Sequence, residues 1–392
     1  MSYDIRIWSV RPVALPASLA EPENWRYFSQ EWMQAGDSWL VFVTPSVSVL
    51  PEDIPEDIAA ELSGISYLTL ARCEGQAPDE VHHDFIKLIR GMVHAAEGVA
   101  LDRQTGRLYT TTRIKRLESL PKNSEEFAIL EFSWWFTDGP LLSPQGLSRF
   151  IEVLEVTLPE ALPRRYGLSE PPQHSIAQTS KAHFLTFLQE HAADNIIWYP
   201  HRPVVGVMLI ADSDWGPRPR GFRANYLSID LEARVLKMAG WQREVRRFWR
   251  SMSRLIRPYY GDLRRLEHYR WSGPTIDFGS ARDEHPVKSV WWKGIPHTMG
   301  LAAVVGPPYL ELWPELMREA DLDDGQAFLS LDDWAAEGDV AQKVGGVPER
   351  ISPGRSAPWH LLTEYPEVWP FSGPITSSPS EKKRDPSTPD KR

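Results

Sequence analysis

The chain has 392 residues, 53 acidic and 43 basic side chains, a formal net charge of −10 and a single cysteine. This length predicts about two domains, since a domain usually has roughly 100–200 residues. The acidic balance argues against wholesale binding to nucleic acid or anionic membrane, and the lone Cys73 excludes an intrachain disulfide and any multi-cysteine metal centre. No stretch approaches the ~18 apolar residues of a membrane span and the first residues lack a signal-peptide pattern, so we expect a cytoplasmic protein.

Residues 1–123 are predicted to form an α/β domain. Alternating, β-branched or aromatic residues predict strands over residues 3–9, 39–49, 65–72, 99–102 and 107–111, the last two as a hairpin. Apolar residues at helical spacing predict helices over residues 21–34, 55–62 and 78–97. Cys73 lies at the end of a predicted buried strand, which favours an inert core thiol.

A polar run over residues 118–126 marks the end of this domain. We assign residues 124–370 to a second domain and the polar residues 371–392 to a disordered tail. Within the second domain, strands are predicted over residues 127–136, 196–199, 204–210 and 223–230. Helices are predicted over residues 143–162, 181–191, 233–256 and 314–319. The whole chain is predicted to be an α+β protein, sandwich-like, with a mixed sheet packed by helices in each domain.

The motifs that usually carry chemistry are incomplete in this chain. Residues 216–221 have the glycine spacing of a phosphate-binding loop, but Phe222 follows where Lys would stand, and prolines remove amide donors. The segment from Asp321 resembles the start of a calcium loop, but its glycine comes one place early and Asp332 replaces the final Glu. We interpret that segment as a loop or helix cap. No catalytic residue, cofactor or metal is predicted.

The strongest pattern is a basic stripe on the last long helix. Residues 241–270 contain nine arginines against three acidic residues. Five of the arginines recur at helical spacing on one side, namely Arg243, Arg247, Arg250, Arg254 and Arg257. This stripe has three interpretations: a solvated face balanced by acidic neighbours, a surface for an anionic or acidic partner, or a contact for nucleic acid.

The 17 tryptophans first suggest carbohydrate binding, but most of them fit core positions. Trp134 and Trp135 are adjacent, as are Trp291 and Trp292, so in a strand one member of each pair points to the opposite side from the other. The outward member is covered either by another layer of the protein or by a partner. Because protein interfaces favour Trp, Tyr and Arg, we predict Trp135 and Trp292, with the five arginines of the stripe, as partner-binding residues.

Several short segments of the second domain resemble one known family in order and spacing. They are residues 162–167 (LPRRYG), 170–172 (EPP), 225–230 (NYLSID), 248–262, 291–296 (WWKGIP) and 306–309 (GPPY). Together they resemble the bacterial type VI immunity family, cytosolic antitoxins encoded beside secreted toxins, over about residues 124–370. The resemblance implies a non-enzymatic protein that neutralises a cognate toxin by direct binding, and it assigns no catalytic residues.

Two alternatives remain open. An enzyme would need a cleft in which polar residues from distant segments converge, and the best candidates are Arg165, Asp212, Asp214, Arg223, Asp230 and His297. A nucleic-acid or anion sensor would use the arginine stripe, and its binding would depend steeply on salt.

Overall fold

The structure is a computed structural model that describes residues 3–14, 25–28, 31–35, 39–75, 77–102, 107–116, 126–136, 140–211, 225–238, 240–272, 275–278, 294–307 and 309–352. The chain divides into two compact units, Met1–Glu126 with Arg270–Asp277 and Phe127–Tyr269 with Phe278–Arg392. The predicted tail over residues 371–392 and the glycine segment 216–221 lie outside the described residues. Each unit contains an antiparallel sheet and helices, so the predicted α+β class is confirmed.

The first sheet contains nine strands in the order β2-β3-β4-β6-β1-β7-β8-β9, with β5 also paired to β6. Its strands are β1 Tyr3–Ser9, β2 Trp25–Phe28, β3 Glu31–Ala35, β4 Trp39–Val43, β5 Val47–Ser48, β6 Tyr67–Gly75, β7 Gly98–Asp102, β8 Arg107–Thr110 and β9 Ile114–Arg116. Two helices accompany it, α1 Glu56–Glu61 and α2 Asp79–Ala95. The apolar stripe of α2 packs on one face of the sheet, and Cys73 is buried there as predicted. The β7–β8 hairpin is also confirmed.

The helix predicted over residues 21–34 is wrong. Residues Trp25–Phe28 and Glu31–Ala35 instead form the antiparallel hairpin of β2 and β3, and β3 continues the sheet by pairing with β4. Apolar residues at helical spacing suggested the helix, but this segment is rich in aromatic side chains, which favour strands. Because β4 offers an adjacent strand edge, pairing across the sheet decides the conformation.

The second sheet contains eleven strands in the order β12-β11-β13-β14-β15-β10-β16-β18-β20-β19, with β17 paired to β16. Its strands are β10 Phe127–Phe136, β11 Arg165–Gly167, β12 His174–Ser175, β13 Asn195–Tyr199, β14 Val204–Ile210, β15 Asn225–Glu232, β16 Tyr260–Ser272, β17 Thr275–Phe278, β18 Ala302–Val305, β19 Asp321–Asp323 and β20 Gln326–Ser330. The helices are α3 Pro144–Thr157, α4 Lys181–Glu190, α5 Trp241–Ile256, α6 Tyr309–Leu312 and α7 Leu316–Glu319.

Strand β10 lies in the middle of this sheet and is buried on both faces. Its even-numbered residues, such as Phe132 and Trp134, pack against α3 and α5 in the larger core. Its odd-numbered Trp135 lies in a second core on the opposite face, where its ring is 5.1 Å from that of Tyr226 and 5.6 Å from that of Tyr260. The side chain of Trp135 is therefore covered by another layer of this chain, and it is not available as a surface residue for a partner. Trp292 lies outside the described residues.

Two predicted details of the second unit are corrected. The helix predicted over residues 233–256 is interrupted, because a short 3-10 segment, Ala233–Lys237, precedes α5 and Gly240 has φ +86°. A left-handed residue of this kind ends one helical segment before the next begins. The sheets expected to be mixed are antiparallel in every ladder between named strands whose register the structure defines.

Candidate partner-binding face

Helix α5 separates an apolar side from a charged side. Its buried residues include Phe248, Trp249 and Met252, and the ring of Trp249 stacks on that of Trp134 at a centroid distance of 5.0 Å. Packing of this side fixes the rotation of the helix, because its aromatic rings fit against β10 in the larger core. The arginines on the opposite side are consequently exposed.

The hairpin of β19 and β20 carries acidic residues next to this charged side. Asp323 pairs with Gln326, which leaves Asp324 and Gly325 as a two-residue turn with φ values of +49° and +75°. Asp-Gly is a favoured pair for such a turn, because both positions need positive φ. The segment from Asp321 is therefore a hairpin. Of its two interpretations, a loop agrees with the turn at Asp324 and Gly325, and a helix cap is wrong. The Asp-Gly pair was the sequence signal that could have identified it.

Ion pairs join the hairpin to the helix. Arg250 pairs with Asp321, Arg254 Nε donates to Asp323 Oδ2 at 2.8 Å, and Arg257 lies 2.9 Å from Asp324. Glu244 lies 3.0 Å from Arg243 and 3.8 Å from Arg247. We call this surface the α5 face and define it by Arg243, Glu244, Arg247, Arg250, Arg254, Arg257, Asp321, Asp323 and Asp324.

The α5 face is consequently close to electrically neutral, although the helix by itself is strongly basic. The arginines form one row along α5 and the aspartates form a second row along the hairpin, and most of these groups remain about half exposed. Phosphate backbones are bound by arginines and lysines whose charge is not already compensated. The ion pairs therefore disfavour the nucleic-acid interpretation of the stripe, and they match the balanced face that the sequence left open.

A cavity of about 300 Å³ opens between α5 and β20 beside this face, and we call it the Trp334 pocket. Its walls combine three aromatic rings, three cations and two carboxylates: Trp249, Phe328, Trp334, Arg246, Arg250, Lys343, Glu319 and Asp321. The guanidinium of Arg246 lies 4.4 Å from the centre of the Trp334 ring, and that of Arg250 lies 5.4 Å from the centre of the Phe328 ring. Neither Arg246 nor Trp334 was predicted from the sequence: Arg246 lies off the stripe, and Trp334 meets Arg246 only through the tertiary structure.

Arg246 is held firmly in this pocket. It donates to Ser330 Oγ at 2.8 Å, to the Leu331 carbonyl at 2.9 Å and to the Asp332 carbonyl at 2.7 Å. Burial lowers the pKa of Arg246, and the positive charge of Arg250 lowers it further, against the opposing effect of Asp332 and Asp333. The positive charges of Arg246 and Arg250 thus both face the Trp334 pocket.

The alternative cleft residues are spread over the second sheet. Arg165 is on β11, where it donates to the Pro172 carbonyl at 2.5 Å. Asp230 is on β15, and two strands separate β11 from β15, so the strand axes lie roughly 14 Å apart. His297 is 3.3 Å from the Ser352 hydroxyl. Since Asp212, Asp214 and Arg223 lie outside the described residues, a cleft formed by all six stays a prediction.

A second cluster, of histidines, lies at the β12 edge of the sheet. Tyr166, which is fully buried, stacks on His174 at 5.2 Å, and its hydroxyl is 2.5 Å from Nδ1 of His183. His191 lies nearby, 4.5 Å from the Phe187 ring and 2.9 Å from Asp194. Burial lowers the pKa of His174, and the positive charges that His183 and His191 acquire lower it further.

This shift predicts an acid-sensitive edge. Because the pKa of His174 is lower in the folded state, the unfolded chain binds the proton first as the pH falls below about 6.5, and stability is lost from there downward. We expect His174→Asn to reduce the loss of unfolding free energy between about pH 7.5 and 5.5, measured by urea denaturation. His201→Asn, which changes an exposed imidazole, is the matched control. Equal pH dependence in the native chain and both variants would contradict the assignment.

Fold and site together define a two-unit α+β protein with a helix face on which arginines pair with a neighbouring row of aspartates, and with an adjoining aromatic pocket. None of the described helices combines the length and apolar character needed to cross a bilayer, and no group of three or more potential metal ligands is arranged around a common point in the same residues. No protein-family model and no curated protein matches the chain. Among solved structures, the chain is similar to the Pseudomonas aeruginosa T6SS protein PA0821, with 11% identity, a TM-score of 0.38, and coverage of 55% of this chain and 68% of that one. A similarity at this level carries no inference about function.

Proposed function

We propose that this chain is a non-enzymatic immunity protein that neutralises a cognate bacterial toxin by binding it through the α5 face. The observation that carries the proposal is the ladder of ion pairs between α5 and the β19–β20 hairpin, which holds a basic row and an acidic row side by side in fixed positions on the surface. The sequence resemblance to type VI immunity proteins supplies the class of partner, and the α5 face supplies the surface.

The α5 face has the composition of a protein interface. Arginine is enriched at interfaces, where its guanidinium combines charge with a flat surface for stacking. The Trp334 pocket adjoins the charged rows and adds three aromatic rings to this surface, those of Trp249, Phe328 and Trp334. A partner that covers these groups gains apolar burial at the centre and charge complementarity around it.

The charge pattern also gives selectivity. A partner that places acidic groups against the arginine row and basic groups against the aspartate row gains attraction along both rows, whereas a partner with the reverse arrangement places like charges together. The net charge of −10 adds a longer-range attraction to a basic toxin, which speeds association at low salt.

The test is co-expression with the product of the adjacent toxin gene, followed by pull-down and measurement of cell survival. We expect a stable complex and rescue of growth. Arg247→Ala is the most informative variant, because Arg247 has only a 3.8 Å contact within the described chain and its removal should leave the fold intact. We expect it to weaken the complex by about tenfold, as truncation at an important interface position does.

The matched control is Lys181→Ala, which removes an exposed ion pair with Glu155 on the α3–α4 surface of the same unit. It should leave the affinity unchanged. If no complex forms and no growth is rescued, the proposed function is wrong. If the complex forms but Arg247→Ala and Lys181→Ala bind equally well, the α5 face is not the interface.

A further inference from the structure

The Trp334 pocket has a chemistry that the ion-pair ladder does not explain. It is a small cavity of about 300 Å³ with an aromatic floor, and it receives two guanidinium groups from the same helix, those of Arg246 and Arg250. Both stack on aromatic rings, at 4.4 Å from Trp334 and 5.4 Å from Phe328. Stacking holds each guanidinium plane in place, so its donors are oriented before anything binds.

Both guanidinium groups keep hydrogen-bonding capacity. A guanidinium has five N–H donors, and the contacts of Arg246 among the described residues use three of them. Arg250 makes its ion pair with Asp321 through a single nitrogen. Lys343 adds a third cation at the same wall, where it donates to the Ser330 carbonyl at 2.9 Å. An anion that enters between the two arginines would meet donors that are already fixed and would relieve the repulsion between the two positive charges.

The size and rim of the pocket restrict which anion fits. Glu319 and Asp321 lie on the wall, so cations exceed anions by only one among the lining residues. A polyphosphate or a nucleic-acid strand carries several negative charges, which these carboxylates would repel. A single carboxylate carries one negative charge and needs only one pair of N–H donors. The cavity is at the small end of the range of ligand pockets, and its aromatic floor suits an apolar group beside the charge.

We propose that the Trp334 pocket binds an acidic side chain of the protein partner, with its carboxylate between Arg246 and Arg250. This rests on the proposed function for the identity of the partner, but the chemistry of the pocket can be tested without it. Charge-assisted bonds from a guanidinium to a carboxylate in a partly desolvated site are stronger than those between neutral groups. The pocket would therefore contain the residue that dominates the affinity of the interface.

The probe is a blocked glutamyl-phenylalanine dipeptide, and its neutral match is the glutaminyl-phenylalanine dipeptide. Binding is followed on the full chain by the NMR signal of the Trp334 indole N–H, which donates to Ser330 Oγ at 2.9 Å and so reports on the pocket wall. We expect the glutamyl probe to shift this signal and the glutaminyl probe to bind at least about tenfold more weakly.

Two variants separate the pocket from the rest of the surface. Arg250→Gln removes one of the paired guanidinium groups and should lower the affinity for the glutamyl probe by about tenfold. Arg149→Gln removes an exposed arginine of α3, outside both the pocket and the α5 face, and should leave the affinity unchanged. A thermal unfolding curve for each variant checks that the fold is retained.

Equal binding of the two probes, no shift of the Trp334 signal, or unchanged affinity in Arg250→Gln would overturn the carboxylate assignment. With the toxin itself, a complex that forms with native affinity in Arg250→Gln also overturns it, while the proposed function stands. Failure of the native chain to bind any toxin counts against the proposed function, and the dipeptide titration then still decides whether the pocket accepts a carboxylate.

Discussion

Replacing Asp262 by alanine is expected to lower the free energy of unfolding by about 3–5 kcal/mol, since removing one partner of a buried ion pair leaves the other charge uncompensated. Asp262 is fully buried on β16, and Arg264 Nε donates to its Oδ2 at 2.6 Å. Tyr260 also donates to the same oxygen at 3.1 Å. Burial tends to lower the pKa of Arg264, but the neighbouring Asp262 and Tyr260 raise it above its ordinary value, so the guanidinium stays charged and needs its partner.

Chemical denaturation of the full chain measures this effect. The control is Asp323→Ala, which breaks the exposed pair with Arg254 and should cost less than about 1 kcal/mol. A double variant, Asp262→Leu with Arg264→Met, should recover much of the lost stability, because well-packed apolar residues often replace a buried ion pair without loss. If Asp262→Ala and Asp323→Ala cost the same, the buried pair does not have the structural role that we assign to it.

Trp134→Ala is expected to lower the free energy of unfolding by about 3–5 kcal/mol, the usual range when a buried aromatic side chain is removed. Trp134 is fully buried on β10, stacks on Trp249 at 5.0 Å and meets Phe248 edge to face at 6.1 Å. Its indole N–H donates to Ser253 Oγ at 2.9 Å, so one side chain joins the central strand to two turns of α5. Because α5 carries the arginine row, this loss should also weaken the partner binding that we propose for the α5 face.

Trp134→Phe separates packing from hydrogen bonding. It keeps an aromatic ring but leaves the buried Ser253 hydroxyl without this partner, and we expect a cost of about 1–3 kcal/mol, smaller than that of Trp134→Ala. Ser253→Ala removes the acceptor of the same hydrogen bond and should lower the free energy of unfolding by an amount in that range. Thermal and urea unfolding, monitored by far-UV circular dichroism, measure all three variants. Equal costs for Trp134→Ala and Trp134→Phe would show that the ring packing contributes little.

The segments that resemble immunity proteins lie mainly in the interior of the second unit. Tyr166, Tyr226, Tyr260, Asp262 and Tyr309 all belong to these segments, and all are fully buried. Gly261, between two of them, lies where an added Cβ would come within 2.8 Å of the Trp134 ring. These residues build the core that positions α5, and the charged residues that we assign to binding lie outside the core. The segment 248–262 also contains Arg250, Arg254 and Arg257, so the resemblance covers the scaffold and part of the proposed binding surface.

The sequence by itself determined the elements whose local pattern is strong. Strand Phe127–Phe136, strand Val204–Ile210 and helix α2 follow from β-rich or helical periodicity, and the structure has them where they were predicted. It also determined that one side of α5 is basic, since five arginines at helical spacing must share a face. These features depend on residues that are close together in the chain.

Only the tertiary structure decided what the basic side of α5 meets. Its arginines pair with aspartates 67–71 residues further along the chain, on a hairpin that reaches the helix through the sheet order β16-β18-β20-β19. Contacts between distant segments also covered Trp135 with a second core, where it meets Tyr226 and Tyr260. Periodicity specifies which residues share a face, whereas strand pairing between distant segments decides whether that face is buried, neutralised or exposed.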